Sequence, residues 1–228
     1  MSSIGMVALS TVCACACDTS KEERLEYTFR IVSGNMVRSP PPNTAYKLAA
    51  TDPTTIAEKI KPLLAKYETK CINEHLDELV VAQTGTLYSE GKRAGGLILE
   101  EQPRVIYMEE ASLAGKDTSI HHELNSVLLR QHFLEFPWLG WLTEVPGGFE
   151  YRNRLSQPSA PEISDDKLLE SGFVCRYGTE SIEEDINTIA HMAFSRNTAE
   201  LNEVRKAERV KGKIDLLYAF YRNIGAIK

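Results

Sequence analysis

The sequence lacks an excess of positive charge: 26 Lys and Arg stand against 32 Asp and Glu, a net charge of −6. Binding to nucleic acid calls for a basic footprint, so that class of partner has no support. No apolar run approaches the roughly 20 residues that cross a bilayer. No two cysteines form a C-x-x-C pair, which excludes a cysteine-only zinc ribbon. No internal repeat is visible either. What is present is ordinary for a globular protein: 228 residues, 43% apolar and 25% charged, enough for one large domain or two small ones with ample core.

The cysteines that do occur are placed unevenly. Cys13, Cys15 and Cys17 cluster near the N-terminus, ahead of a charged run from Asp18 to Arg24. Small residues before a cysteine resemble the tail of a bacterial lipoprotein signal, although a basic n-region is missing and the apolar core is short. Residues 1–24 are therefore expected to be a signal-like segment. They imply a cell-envelope protein, lipid-anchored or periplasmic, that meets a membrane only through that anchor. The alternatives are a disordered terminus or a small metal-scavenging tract. Cys71 and Cys175 suit either one disulfide or two buried thiols.

Residues 25–228 read as one domain. Leu25 to Val32 alternates like a strand. Ser39-Pro40-Pro41-Pro42-Asn43 is an extended break, and Asp52-Pro53 starts a helix with Asp52 as cap and Ile56, Ile60, Leu63 and Leu64 as its buried stripe, ending near Tyr67. Leu76 to Ala82, Gly95 to Glu100 and Arg104 to Met108 are strand candidates, the last two joined by a turn at Gln102-Pro103. After a loop from Glu109, a helix is expected over Ser119 to His132, capped by Asp117, Thr118 or Ser119. Trp138 and Trp141 precede a long irregular stretch with Pro146-Gly147-Gly148 and Pro158 to Pro161. They either line a cleft or pack beneath the loop. The remainder reads as helical: one helix capped by Ser181 with Glu183, Glu184 and Asp185 in its first turn, a short one at Thr198, and one over Ile214 to Tyr221.

The chemistry concentrates at His121-His122-Glu123, at the start of the Ser119–His132 helix. In the zinc-hydrolase helix H-E-x-x-H, two imidazoles one turn apart grip a metal, and the Glu acts as general base on the metal-bound water. His122 and Glu123 supply the first ligand and the base, but Ser126 stands where the second imidazole belongs. A neutral hydroxyl is a poor zinc ligand. His121 points about 100° away from His122 on a helix, and His132, ten residues on, points about 80° away, so neither replaces it well. A later carboxylate is the usual third ligand of such one-helix sites, and Glu184 is the candidate; its bland reading is an acidic first turn stabilising a helix. The order helix, short sheet, metal-type helix and helical C-terminal half suits an α+β, zincin-like fold of the gluzincin type.

Thr118-Ser119-Ile120-His121-His122-Glu123-Leu124 resembles the T-I-H-H-E-F segment of the zinc-binding metallopeptidase lipoproteins of Bacteroidetes, found beside outer-membrane nutrient-import systems. Gly172-Phe173, Tyr177 and Glu184-Asp185-Ile186-Asn187 resemble that family's later G-F…Y…E-D-F-A-E block, and Lys213 to Tyr221 its C-terminal K…Y-Y pattern. The likeness runs from about Thr51 to the end. It implies a zinc cofactor held by His122 and Glu184, Glu123 as base, a peptide or protein substrate, and import components as partners. Tyr177 is then placed to donate to an oxyanion, against the plainer reading of a packed tyrosine. The departures are Ser126 for the second His, and Ile186 and Asn187 for an aromatic and a small residue. Two functions follow: a zinc-dependent, peptidase-like hydrolase, or a catalytically inactive zincin-fold accessory protein that binds a peptide or glycan. A plain surface protein is the third possibility.

Overall fold

Three segments rich in β-branched residues lie side by side and set the frame. The computed structural model describes residues 27–36, 38–113, 119–152, 163–195 and 198–228. In chain order it runs β1 (Arg30–Val32), β2 (Thr44–Ala45), α1 (Pro53–Leu64), α2 (Thr69–His75), β3 (Glu78–Ala82), β4 (Tyr88–Ser89), β5 (Lys92–Arg93), β6 (Gly96–Leu99) and β7 (Gln102–Glu109). A 3-10 turn at Glu110–Leu113 leads to α3 (Ile120–Gln131) and α4 (Trp138–Thr143). Two further 3-10 turns, Asp165–Lys167 and Arg176–Thr179, precede α5 (Ile182–Ser195), α6 (Thr198–Val204) and α7 (Glu208–Asn223). This is a mixed α+β architecture. The N-terminal segment with Cys13, Cys15 and Cys17, and the prolines 158 and 161, lie outside the described residues.

The main sheet has the order β1-β3-β7-β6, with β1, β3 and β7 parallel and β6 antiparallel to β7 at the edge. Parallel strands need cover on both faces, and β3 is buried at all five positions. Leu79, Val81, Ile106 and Met108 face the principal core, shared with α1, α3, α5 and α7. Val80, Ala82, Val105 and Tyr107 face a second cluster with Leu87. A small sheet of order β2-β4-β5 also forms.

The helix at Asp52-Pro53 forms as its sequence requires: Asp52 Oδ1 accepts from Thr54 N at 2.8 Å, and Pro53 opens the first turn. It stops at Leu64 rather than Tyr67. Ala65 N still donates to Lys61 O, but Tyr67 N turns back to the Leu64 carbonyl, which closes the helix with a tight turn. The β6–β7 reversal falls at residues 100–101, and Gln102-Pro103 begins β7 instead of forming the turn. Pro103 is tolerated there because β3 pairs with β7 only from Val105 onward. Trp141 is fully buried, and Trp138 packs against the core edge, so these rings are packing groups. Cys71 and Cys175 are both free thiols. Among the described residues, no helix is long and apolar enough to cross a membrane.

Candidate functional site

Helix α3 packs between β6 and β7 of the sheet and α5. Ile120, Leu124, Val127 and Leu128 fill the core, and successive side chains turn by about 100°. Ser119 occupies the cap position without a capping hydrogen bond from its side chain. The two adjacent histidines therefore part company. His121 turns inward: its Nδ1 lies 3.0 Å from the Tyr67 hydroxyl, beside the Phe194 ring. Burial, helped by the charge of Lys66, pushes its pKa down to about 3, so it is a neutral core residue and no substitute ligand.

His122 turns toward α5. Its Nε2 lies 3.1 Å from Glu184 Oε2. Glu184 sits in the first turn of α5, where its own N–H donates to Ser181 Oγ at 3.1 Å, the cap expected from the sequence. Tyr177, on the preceding 3-10 turn, donates to Glu184 Oε1 at 2.5 Å. Its ring stacks on the imidazole at 6.0 Å and 25°. Tyr177 remains 41% exposed, so it is not a packed tyrosine. Burial works to lower the His122 pKa, but the Glu184 hydrogen bond and the charges of Glu123, Glu184 and Glu183 outweigh it and hold the ring above its ordinary value. The fold thus brings together His122 and Glu184 from positions about sixty residues apart in sequence.

Glu123 faces the edge strand. Its carboxyl group lies against Gly96 of β6 so closely that a Cβ there would fall 2.6 Å from Oε1. It is 7% exposed and has no hydrogen-bonding partner among the described residues. Burial pushes its pKa up to about 7, with His122 opposing and Glu184 reinforcing. At neutral pH it is a carboxyl group divided between its two protonation states.

Ser126, four residues after His122, has a partner of its own. It is buried and its Oγ accepts from Asn187 Nδ2 at 2.8 Å. Asn187 Oδ1 accepts from Asn125 Nδ2 at 2.7 Å, and Asn125 Oδ1 accepts from the Tyr221 hydroxyl at 2.7 Å. One chain of hydrogen bonds thus joins α7, α3 and α5. Just beyond it, Asp185 Oδ2 accepts from Trp141 Nε1 (2.9 Å), Tyr151 Oη (2.8 Å) and Lys213 Nζ (2.7 Å), anchoring the start of α5. Sequence reasoning missed Asn125, Tyr221 and the Asp185–Lys213 pair. The available signal was polar side chains at positions where helical spacing demands apolar ones.

A catalytic zinc takes three protein ligands and an open position. Here His122 and Glu184 offer two. The third position holds a hydroxyl committed to Asn187, and His132 lies at the far end of α3, roughly 15 Å along the axis, against His75. Among the described residues, no three His, Cys, Asp or Glu side chains converge to hold an ion. The donor set does not fit a catalytic zinc.

No family model matches the chain, and no curated protein matches it in sequence. Its fold is similar to the crystal structure of a putative zinc-binding metallo-peptidase from Bacteroides caccae, at a TM-score of 0.52. The two share 11% identity over 86% of this chain and 78% of the other. The likeness is one of fold.

Proposed function

We propose that this chain is a gluzincin-type zincin scaffold whose metal centre has given way to a direct His122–Glu184 ion pair, and that it binds an extended peptide without cleaving it. The observation that carries this is Ser126, locked to Asn187 in the α3–α5 interface where a second zinc-binding imidazole would stand. The sheet edge beside it is suited to a peptide. β6 has a partner on one side only, so its outer edge offers backbone donors and acceptors to an added strand. A strand laid along that edge passes Gly96, and with it Glu123. Tyr177, exposed and stacked on His122, supplies an aromatic face next to the charged pair.

The test has two arms. Zinc content by mass spectrometry, after incubation with zinc and gel filtration, is expected to be the same in the parent, His122→Ala and Glu184→Ala. One zinc per chain in the parent, lost in both variants, overturns the disarmed centre. Peptides selected from a random display library are expected to lose binding in Ile98→Pro, which removes a β6 N–H. Failure to select any peptide overturns the binding role.

A second reading rests on Glu123. A buried, unpartnered carboxyl group with a pKa near 7 is poised as a general base toward water at neutral pH. Cleavage of the selected peptides that Glu123→Gln abolishes would favour a hydrolase over a binding protein.

A further inference from the structure

Two other imidazoles meet at the opposite end of α3. His75 closes α2, and His132 is the cap residue that follows Gln131. Their Nε2 atoms are 2.8 Å apart, with ring centroids at 4.8 Å. His75 Nδ1 lies 2.8 Å from the Cys71 carbonyl oxygen one turn back, so Nδ1 carries the hydrogen and the lone pair sits on Nε2. Gln131 Nε2 donates to the His75 carbonyl oxygen at 3.1 Å and holds α2 against α3.

His132 is then caught between two arrangements. If its Nε2–H donates to His75, its own Nδ1 is buried without a hydrogen-bonding partner, 3.6 Å from Glu135 Oε1. If the hydrogen moves to Nδ1, that nitrogen faces the Glu135 carboxylate favourably. The two Nε2 lone pairs then oppose each other at 2.8 Å, an arrangement that a cation beside both nitrogens relieves. A carbonyl behind one imidazole and a carboxylate behind the other is the outer-shell pattern that orients histidines on a metal.

We propose that His75 and His132 form a divalent-metal site of the nickel and copper class, with water completing the coordination. Two nitrogens 2.8 Å apart, each about 2.1 Å from an ion, subtend about 84° at it, the cis angle of octahedral or tetragonal coordination. Tetrahedral zinc requires them to open to about 3.4 Å. The His132 side chain is 21% exposed, which leaves the water side open. Cys71 is no ligand: its thiol is buried and pushed up to about 11. The site is independent of the peptide-binding reading above, because it shares no residue with it.

The experiment titrates Ni2+ into the full chain and follows the thermal unfolding midpoint. An ion bridging α2 and α3 in the folded state raises the midpoint by about 3–6 °C at ten times its Kd. Binding by the N-terminal thiols is common to every variant and cancels in the comparison. The shift is expected to vanish in His75→Gln and in His132→Gln, to persist in His122→Gln, and to need roughly tenfold more Ni2+ in Glu135→Gln. Glu135→Gln changes a half-exposed side chain and reports on the site even if a histidine variant folds poorly. No shift in the parent, or a shift kept in either histidine variant, overturns the proposal.

Discussion

Lys213→Met is the sharpest test of what holds the site's floor in place. Lys213 and Asp185 are both fully buried, 2.7 Å apart. At an effective dielectric of about 20, two unit charges at that distance attract by roughly 6 kcal/mol. Removing both from water costs several kcal/mol per ion, so the pair as a whole contributes little net stability. Removing one partner is different. It strands the Asp185 charge, at a typical cost of about 3–5 kcal/mol. Trp141 and Tyr151 still donate to Oδ2, which places the effect toward the lower end. The Gly172 carbonyl loses its 2.7 Å donor as well, worth about 1 kcal/mol.

The expected total is about 4 kcal/mol, a large share of the roughly 5–15 kcal/mol a domain of this kind possesses. Urea unfolding followed by tryptophan fluorescence measures it. The double variant Asp185→Asn/Lys213→Met is expected to recover most of the loss, because no unpaired charge remains. Burial already pushes Asp185 above the ordinary carboxylate range. Without the ammonium it rises further, so the single variant gains stability as pH falls and loses it as pH rises through the shifted value. A single variant within 1 kcal/mol of the parent, or a double variant no better than the single, refutes this account.

The other predictions concern α3. The folded pKa of His121 near 3 lies below the ordinary 6.5, so its contribution is complete above 6.5 and is lost as pH falls from 6.5 toward 3. His121→Leu is expected to remove up to about 5 kcal/mol of acid sensitivity from the unfolding free energy, and an unchanged acid limb would count against a buried neutral ring. Glu123 runs the other way: its folded value near 7 lies above 4.5, so stability is complete below 4.5 and declines through 7 by up to about 3 kcal/mol. Glu123→Gln should flatten that decline, and a slope identical to the parent's would show the carboxyl group to be solvated. Gly96→Val forces a branched side chain into the space of the Glu123 carboxyl group; a loss of about 1–3 kcal/mol in urea unfolding is expected, and none would mean β6 stands off from α3.

Much of this was legible in the sequence where a rule of geometry applied. A turn of about 100° per residue separates His121 from His122 on any helix, and here one is core and the other faces Glu184 on α5. Asp52-Pro53 and Ser181 named two helix starts because capping is local chemistry. His122 and Glu184 were paired as metal ligands by the family likeness, and the fold sets them 3.1 Å apart. What stayed hidden was non-local or short. The seven residues of α2 and six of α4 are too few for a periodic pattern, and the two-residue strands β2, β4 and β5 carry none. Pro103 was read as a breaker because the lack of a β3 partner for that end of β7 is invisible without the sheet. Asn125, Asn187 and Tyr221 form one hydrogen-bonded chain across three helices. Helical spacing sees only that two of them are polar.

That chain bears on what holds α3 and α5 together. A shared ion cross-links the two helices that supply its ligands, so losing an imidazole threatens their packing as well as their chemistry. In this protein the cross-link is distributed. The His122–Glu184 pair is partly solvated, at 17% and 18% side-chain exposure, and pairs of that kind contribute modestly. The Asn125–Asn187–Ser126 chain is buried, and each of its amides is costly to strand, so the interface is held mainly by neutral hydrogen bonds. Ser126 and Asn187 are then a matched pair. A histidine at 126 lacks room while Asn187 fills the interface, and a small residue at 187 leaves the serine unsupported. Building an ion site there requires changing both, and Ser126→His alone is expected to disrupt the α3–α5 interface before it gains metal.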